Sequence, residues 1–484
     1  MNDEIKIGLD FGTHQTKICV QRRPDEGRGE PNYEFFQFKD LQGNRQYFLP
    51  SVIQINDDDT LSFGYVDSSR MKKKASEPVR QNVELEEEFD VAEMAKKLYS
   101  KYATPGNVPE DMYVLCEMLD IRLRKVKVRN IAKNKEAERL YEAQIRDYRS
   151  VKNIFRYFKQ ATFIGGEWNR VSPISNRTLC VWYLAYVIFL LEDKYGTNFS
   201  INMGIPADEE TYEVKKRLGV EILAAAYYLV EDVYKNDFNA FLCEKYQDLL
   251  AKTVNRPYTK EMKEEYWINI FPEAYASLTA LTSRGKLPTG MSLTADIGGG
   301  TTDISFFTIE DGLPMIYKFW SIPRGLNYVA EQSGFDYAEG DFTSRIQQYV
   351  VDKFNRKKHE HVYILVKDLQ KKIQKETSIP VQNLKDALKD RILVYSGGGS
   401  TFSFLTKPID TFTDVRVMDG SIWNEENVKD KAVVSKLSVL LTTAYGLSVS
   451  DKDEDVKLKS YSTLFDHLPK KHQKEIQEVS KDQC

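Results

Sequence analysis

Two glycine-rich strand-turns, one opening each half of the chain, constrain the fold more than any other feature. The first is Ile7-Gly8-Leu9-Asp10-Phe11-Gly12-Thr13-His14-Gln15-Thr16-Lys17. The second is Thr294-Ala295-Asp296-Ile297-Gly298-Gly299-Gly300-Thr301-Thr302-Asp303, with Asp296 lying 286 residues after Asp10. In each, an apolar run ends in aspartate, glycines and hydroxyl residues follow, and a second apolar run resumes at Ile18-Cys19-Val20 or Ile304-Ser305-Phe306-Phe307. The pattern predicts a β-hairpin whose tip offers backbone N–H groups and hydroxyls to an anion. Glycine lets the main chain approach phosphate oxygens within hydrogen-bonding reach. Two such tips facing each other would clamp a polyphosphate, with two aspartates holding its divalent cation.

A chain of 484 residues exceeds what one hydrophobic core usually serves, so two or more domains are expected. With 42% apolar and 29% charged residues, it reads as an ordered globular protein. A net charge of −4 excludes a global field that attracts nucleic acid or anionic membranes. Five cysteines (Cys19, Cys116, Cys180, Cys243, Cys484) are scattered without a CxxC pair. That spacing argues against a disulfide or zinc framework and for a reducing, cytoplasmic setting. The first residues are acidic and run straight into a strand, so no signal peptide is expected. The longest apolar stretch, Cys180 to Leu191, has 12 residues, short of the ~20 a bilayer needs. It is expected to be a buried core helix.

Residues 5–11, 16–21, 33–38, 48–55 and 61–64 read as strands, with Asn56-Asp57-Asp58-Asp59 at a hairpin tip. From about 70 to 150 the texture becomes Lys-, Arg- and Glu-dense helix, with basic stretches at Lys72-Lys73-Lys74 and from Arg122 to Lys135. Paired solvated faces are the simplest reading, and a docking surface for a partner is the other. Strand-like order resumes at Phe155–Phe163, followed by a helix at about 174–194 and a buried strand from Phe199 to Pro206. Residues 209–270 read as helical, 291–322 as the second hairpin system and about 325–390 as amphipathic helices. The strand Arg391–Tyr395 runs into Ser396-Gly397-Gly398-Gly399-Ser400, and a last apolar helix lies near 432–449. Strands alternating with helices predict an α/β architecture, here built twice. The tryptophans Trp168, Trp182, Trp267, Trp320 and Trp423 are most simply core or interface packing residues.

This ordered set resembles the ATPase superfamily shared by actin, the sugar kinases and the seventy-kilodalton heat-shock chaperones. The resemblance aligns a phosphate-1 loop (Asp10 to Lys17), a first crossing helix (Phe271 to Leu278) and a phosphate-2 loop (Asp296 to Asp303). An adenosine loop (Gly398 to Ser400) and a second crossing helix (Thr443-Ala444-Tyr445-Gly446) complete it. The wording is closest to the chaperone nucleotide-binding domain, in divergent form and without a counterpart of the peptide-binding domain. It implies a duplicated ribonuclease-H-like (actin-like ATPase) fold with two lobes around a nucleotide cleft. Lobe I would span 1–286, with helical insertions at about 75–150 and 209–270. Lobe II would span 287–435, and 436–484 would hold the returning crossing helix and a polar tail.

The resemblance also implies roles. Asp10, Asp296 and Asp303 would organise Mg²⁺ through bound waters and help position the attacking water. Gly12, Thr13, His14, Gly298, Gly299, Gly300, Thr301, Thr302 and Gly325 would cradle the phosphates. Lys159, on a hairpin, would face the γ-phosphate. Lys372 or Lys375 would stack on adenine, with Gly398, Gly399, Ser400 and Phe402 around the nucleoside. The family's glutamate before the crossing-helix proline is Phe271 here, and Glu273 follows the proline instead. Either the helix register brings Glu273 to the metal-bound waters, or a water-orienting carboxylate is missing. A single oriented group contributes ~10²–10⁴-fold, so its loss would leave a slow, switch-like ATPase. Leu440 stands at the ribose-side acidic position, and His14 and Gln15 replace a hydroxyl and an aromatic residue. The expected function is therefore a Mg²⁺-dependent ATP-binding protein and slow ATPase, with a protein partner or client docking on the helical insertions. An actin-like filament or assembly protein is the alternative, and a small-molecule kinase the third reading.

Overall fold

The computed structural model describes residues 4–24, 30–71, 154–164, 174–207, 211–254, 257–282, 292–322, 388–401, 415–417 and 427–458, with isolated positions at 287, 290, 325, 371, 386, 406, 409, 410 and 413. The 75–150 insertion, Lys372, Lys375, Phe402, Trp168, Trp423 and the tail beyond 458 lie outside the described residues, as do most of the helices expected at 325–390. The chain is α/β, and both of its large sheets mix parallel and antiparallel pairs.

In the first sheet β1 (Glu4–Phe11), β2 (Gln15–Arg23) and β3 (Asn32–Phe35) form an antiparallel meander. Strands β4 (Ser200–Ile205) and β5 (Ile268–Pro272) extend it in parallel from the other side of β1. The order is β3-β2-β1-β4-β5, with the two-residue strand Leu49–Pro50 attached to β2. In the second sheet β6 (Ser292–Ile297), β7 (Thr302–Glu310) and β8 (Leu313–Ile322) form the meander. Strands β9 (Ile392–Ser396) and β10 (Val415–Val417) continue it in parallel from β6. Its order is β8-β7-β6-β9-β10, closed by Lys457–Leu458 on β8. The two sheets thus repeat the same strand order with the same senses. A small third sheet (Ile53–Ile55, Leu61–Phe63, Ile154–Phe155) leads into helix α1 (Phe158–Phe163).

Side-chain alternation assigns each sheet face. Ile7, Leu9, Phe11, Ile18 and Val20 point into a core shared with α2 (Asn176–Tyr195) and α3 (Tyr212–Tyr228). Helix α2 contains the apolar run, is capped by Ser175 accepting from the Thr178 N–H at 3.0 Å, and buries Trp182 and Tyr183 completely. The opposite face of β1, bearing Lys6, Gly8 and Asp10, looks at α4 (Glu273–Thr282) and α5 (Ser438–Val449). Helix α4 also packs Tyr275 and Leu278 against Phe307 and Val394 of the second sheet. The two helices therefore form a layer between the sheets. They cross so closely that a side-chain carbon on Gly446 would collide with the Ala276 carbonyl, and the Ser277 and Thr443 hydroxyls bond across the contact at 2.9 Å. Among the described residues one helical stretch, Lys431–Val449, is long and apolar enough to cross a membrane. Its apolarity has a local cause, because α5 packs against β1, β2, α4 and β9.

Four expectations need correction here. Residues 209–270 are not helical to their end, since 268–272 form β5, an integral strand of the first sheet. Ile268 and Ile270 are buried, with Gly219 of α3 resting on Ile270, a parallel-strand environment that overrides the charge-dense text around it. The first crossing helix accordingly begins at Glu273 rather than Phe271. Pro272 lacks an N–H and ends the strand where a helix can start. Lys159 stands in α1 rather than on a hairpin, because Tyr157 adopts a left-handed conformation (φ 59°) and turns the chain out of the strand. Trp267 is 56% exposed, with φ 48°, so it is not a core residue and only the interface half of that reading is left for it.

Candidate functional site

The carboxyl ends of β1, β4, β6 and β9 lie near one another, with Gly397 against Asp296, Gly204 against Glu273, and Asp296 influenced by Glu273 and Asp10; strand ends of this kind are where open α/β sheets put their ligands. The two hairpins are built in the same register, with Asp10 opposite Lys17 in one and Asp296 opposite Asp303 in the other. Residues directly opposite in an antiparallel pair share a face, so each aspartate has its cross-strand partner beside it. Lys17 donates to Asp10 Oδ2 at 2.8 Å, and the Lys17 side chain is only 16% exposed. Asp303 Oδ2 accepts from the Thr301 hydroxyl at 2.8 Å. Equivalent positions therefore carry a cation in one hairpin and a carboxylate in the other.

The loops between the strands face each other. A side-chain carbon on Gly299 would collide with the His14 imidazole, and one on Gly300 with the Gln160 carboxamide. His14 also meets the Tyr157 ring edge-on, with centroids 5.3 Å apart. The first loop is held from behind by Ser51, whose hydroxyl donates to Gly12 O and whose N–H donates to His14 O, both at 2.7 Å. In the second loop Gly298 N–H donates to Thr301 O at 2.9 Å. Gly325 lies against the carbonyls of Gly298 and Gly299.

Glu273 reaches this group from the first turn of α4. Its side chain rests on Gly204 at the end of β4 and pairs with the buried ammonium of Lys159. Phe271, two residues earlier in β5, is fully buried. The observed register places Glu273 near Lys17 and Asp296, whose ionisation it influences. Burial pushes the Asp296 carboxyl up to about 6, and the charges of Glu273 and Asp10 push the same way against Lys17 and Ser396. Burial pulls the Lys17 ammonium down, but Asp10, Asp296 and Glu273 outweigh it and hold the group above the ordinary lysine value. Three carboxylates crowd two ammonium groups.

This donor set suits a hydrated hard cation. Carboxylate oxygens are the ligands Mg²⁺ prefers, and it keeps several waters. Among the described residues no group of three or more His, Cys, Asp or Glu side chains is placed to hold a metal directly.

The third glycine turn differs from expectation. Gly397 (φ 80°) packs behind Asp296 and Ile297, and Gly398 meets Leu440 of α5. Gly399 and Ser400 are buried against the inner side of the turn, where the Ser400 hydroxyl donates to Gly397 O at 2.7 Å. The serine hydroxyl closes the turn, and Gly397 and Gly398 are its partly exposed members. Thr13 is half-exposed in the first loop, whereas Thr301 and Thr302 are buried in the second hairpin.

Lys17, Gln160, Ser51 and Gly397 belong to the site without having been given roles by sequence. Lys17 carried a readable signal, because cross-strand counting from the loop places it opposite Asp10. Gln160 had none, since its contact with Gly300 joins segments 140 residues apart (300 minus 160). Neither a scan of family models nor a search of curated proteins found a match for this chain.

Proposed function

We propose that this protein binds ATP between two lobes of a duplicated ribonuclease-H-like fold, of the kind shared by actin, sugar kinases and heat-shock chaperones. It hydrolyses the nucleotide slowly and uses its state to open and close the lobes. The observation that carries this reading is the apposition of the two loops, His14 against Gly299, over one shared group of Asp10, Lys17, Glu273 and Asp296. Equal strand order and equal hairpin register in the two sheets support the duplication.

In this reading Thr13, Gly299 and Gly300 supply main-chain donors to the phosphates, Gly12 and Gly298 shape the loops through N–H bonds within their own turns, and Lys17 lends positive charge. Asp10, Asp296 and Asp303 hold the waters of a Mg²⁺ ion, which would neutralise phosphate charge when bound. Glu273, oriented by Lys159, accepts a hydrogen bond from the attacking water. That water's oxygen bonds to the γ-phosphorus as the bridging P–O bond breaks, giving ADP and phosphate. Positioning and charge neutralisation supply most of such catalysis. A partner that reads the lobe state and a cytoplasmic setting belong to the same proposal. Calorimetry with ATP and ADP, with and without Mg²⁺, tests it on wild type, Asp10→Asn and Asp303→Asn. Unaltered Mg-ATP binding and turnover in both variants would remove the metal roles, and phosphate transferred to a metabolite instead of released would favour a kinase.

A further inference from the structure

Helix α1 carries two consecutive polar side chains, and they are used differently. The Lys159 ammonium is buried and committed to Glu273. Gln160, one residue on and partly exposed, extends to the second loop, where its carboxamide lies over Gly300. The helix holding it is well anchored. Phe158 is 1% exposed and lies 5.6 Å from the Tyr183 ring, and the Thr162 hydroxyl donates to Phe158 O at 2.7 Å. Beside it, His14 reaches Gly299 from the first loop. Two side chains of the first lobe thus cover two consecutive peptide groups of the second.

We propose that Gln160, together with His14, reads the third phosphate of the nucleotide and so sets the preference for triphosphate over diphosphate. The inference rests on the ATP-binding reading above and adds a specificity residue to it. Three surfaces meet at this point: the first loop, the second loop and α1. A γ-phosphoryl group has three non-bridging oxygens and can address all three, whereas the inner phosphates of ATP have two each. A carboxamide suits the task because its NH₂ donates to a phosphate oxygen while its carbonyl accepts from a loop N–H. With a diphosphate, Gln160 and His14 keep their contacts to Gly300 and Gly299, and that interaction is not exchanged.

The test is calorimetric binding of ATP and ADP to the full chain in the presence of Mg²⁺, for wild type, Gln160→Glu, Gln160→Ala and His14→Ala. A hydrogen bond to a charged group predicts that Gln160→Glu, which replaces the donor with a like charge, weakens ATP about tenfold more than ADP. Gln160→Ala and His14→Ala should shift the ratio in the same sense by less. Gln160 is partly exposed, so unchanged thermal melts should accompany these shifts. Parallel losses for both nucleotides, or an unchanged ATP-to-ADP ratio, would overturn the proposal while leaving ATP binding intact. Wild type binding neither nucleotide is a separate result, which removes the functional reading and this inference with it.

Discussion

Asp296→Asn should make the nucleotide-free protein more stable at neutral pH and leave it unchanged in acid. Asp296 is crowded by Glu273 and Asp10, and burial raises its carboxyl from 3.8 to about 6. A carboxyl whose folded value exceeds its unfolded value binds more protons in the native state between those two pH values, so stability falls as pH rises through them. Below about pH 4 both states are protonated and no penalty exists. Above the folded value of about 6 the whole penalty is present. A shift of roughly two units at 1.36 kcal/mol each gives about 3 kcal/mol, an upper figure because the residue keeps some solvent contact. Asparagine retains the shape and removes the ionisation. Urea denaturation of both proteins at pH 4, 6 and 7.5 reads the difference. A gap growing from near zero to 2–3 kcal/mol is expected, and Mg²⁺ with ATP should narrow it by stabilising the wild type alone. A variant that is less stable than wild type at pH 7.5, or a gap independent of pH, would refute the argument that like charges are held together here.

The closeness of the central helices gives a second expectation: Gly446→Val forces α5 away from Ala276 and should cost about 3 kcal/mol or more, read as a lowered melting temperature. Asp453 is buried, accepts from the Ile270 N–H at 2.9 Å, and pairs with Lys216 and Lys263. Asp453→Ala removes the carboxylate partner of Lys216 and of a strand N–H and leaves Lys263 with Glu454 alone, so a loss of about 3 kcal/mol is expected in chemical denaturation, and a change within 0.5 kcal/mol would contradict it. Burial pushes the Cys19 and Cys180 thiols up to about 12. Both should resist a thiol reagent until the protein unfolds, whereas exposed Cys243 reacts in the native state. Mass mapping of the labelled sites checks this order.

How much of this could be read beforehand differs from element to element. The β1–β2 and β6–β7 hairpins were legible because apolar alternation and glycine punctuation are local signals. The same holds for α2, whose unbroken apolar run demanded burial. Strand β5 was hidden within charged, aromatic-rich text, since a five-residue parallel strand is specified by its neighbours more than by its own pattern. Lys159 was singled out as a lysine of interest but given the wrong local structure, because one left-handed residue, Tyr157, decides whether the chain continues as strand. Ser400 looked like a ligand and is a turn closure, a distinction set by which way its hydroxyl points.

By itself the amino-acid order determined the two aspartate-bearing hairpins, the α/β class and the buried character of the long helix. Each follows from periodicity within a few consecutive residues. The tertiary structure alone decided that Lys159 and Glu273, 114 residues apart, pair beside Asp296, that Gln160 and His14 cross to Gly300 and Gly299, and that Gly399 and Ser400 turn inward. Those choices depend on how α4 and α5 pack between the two sheets, where close contact and exclusion of water couple charges that no stretch of sequence brings together.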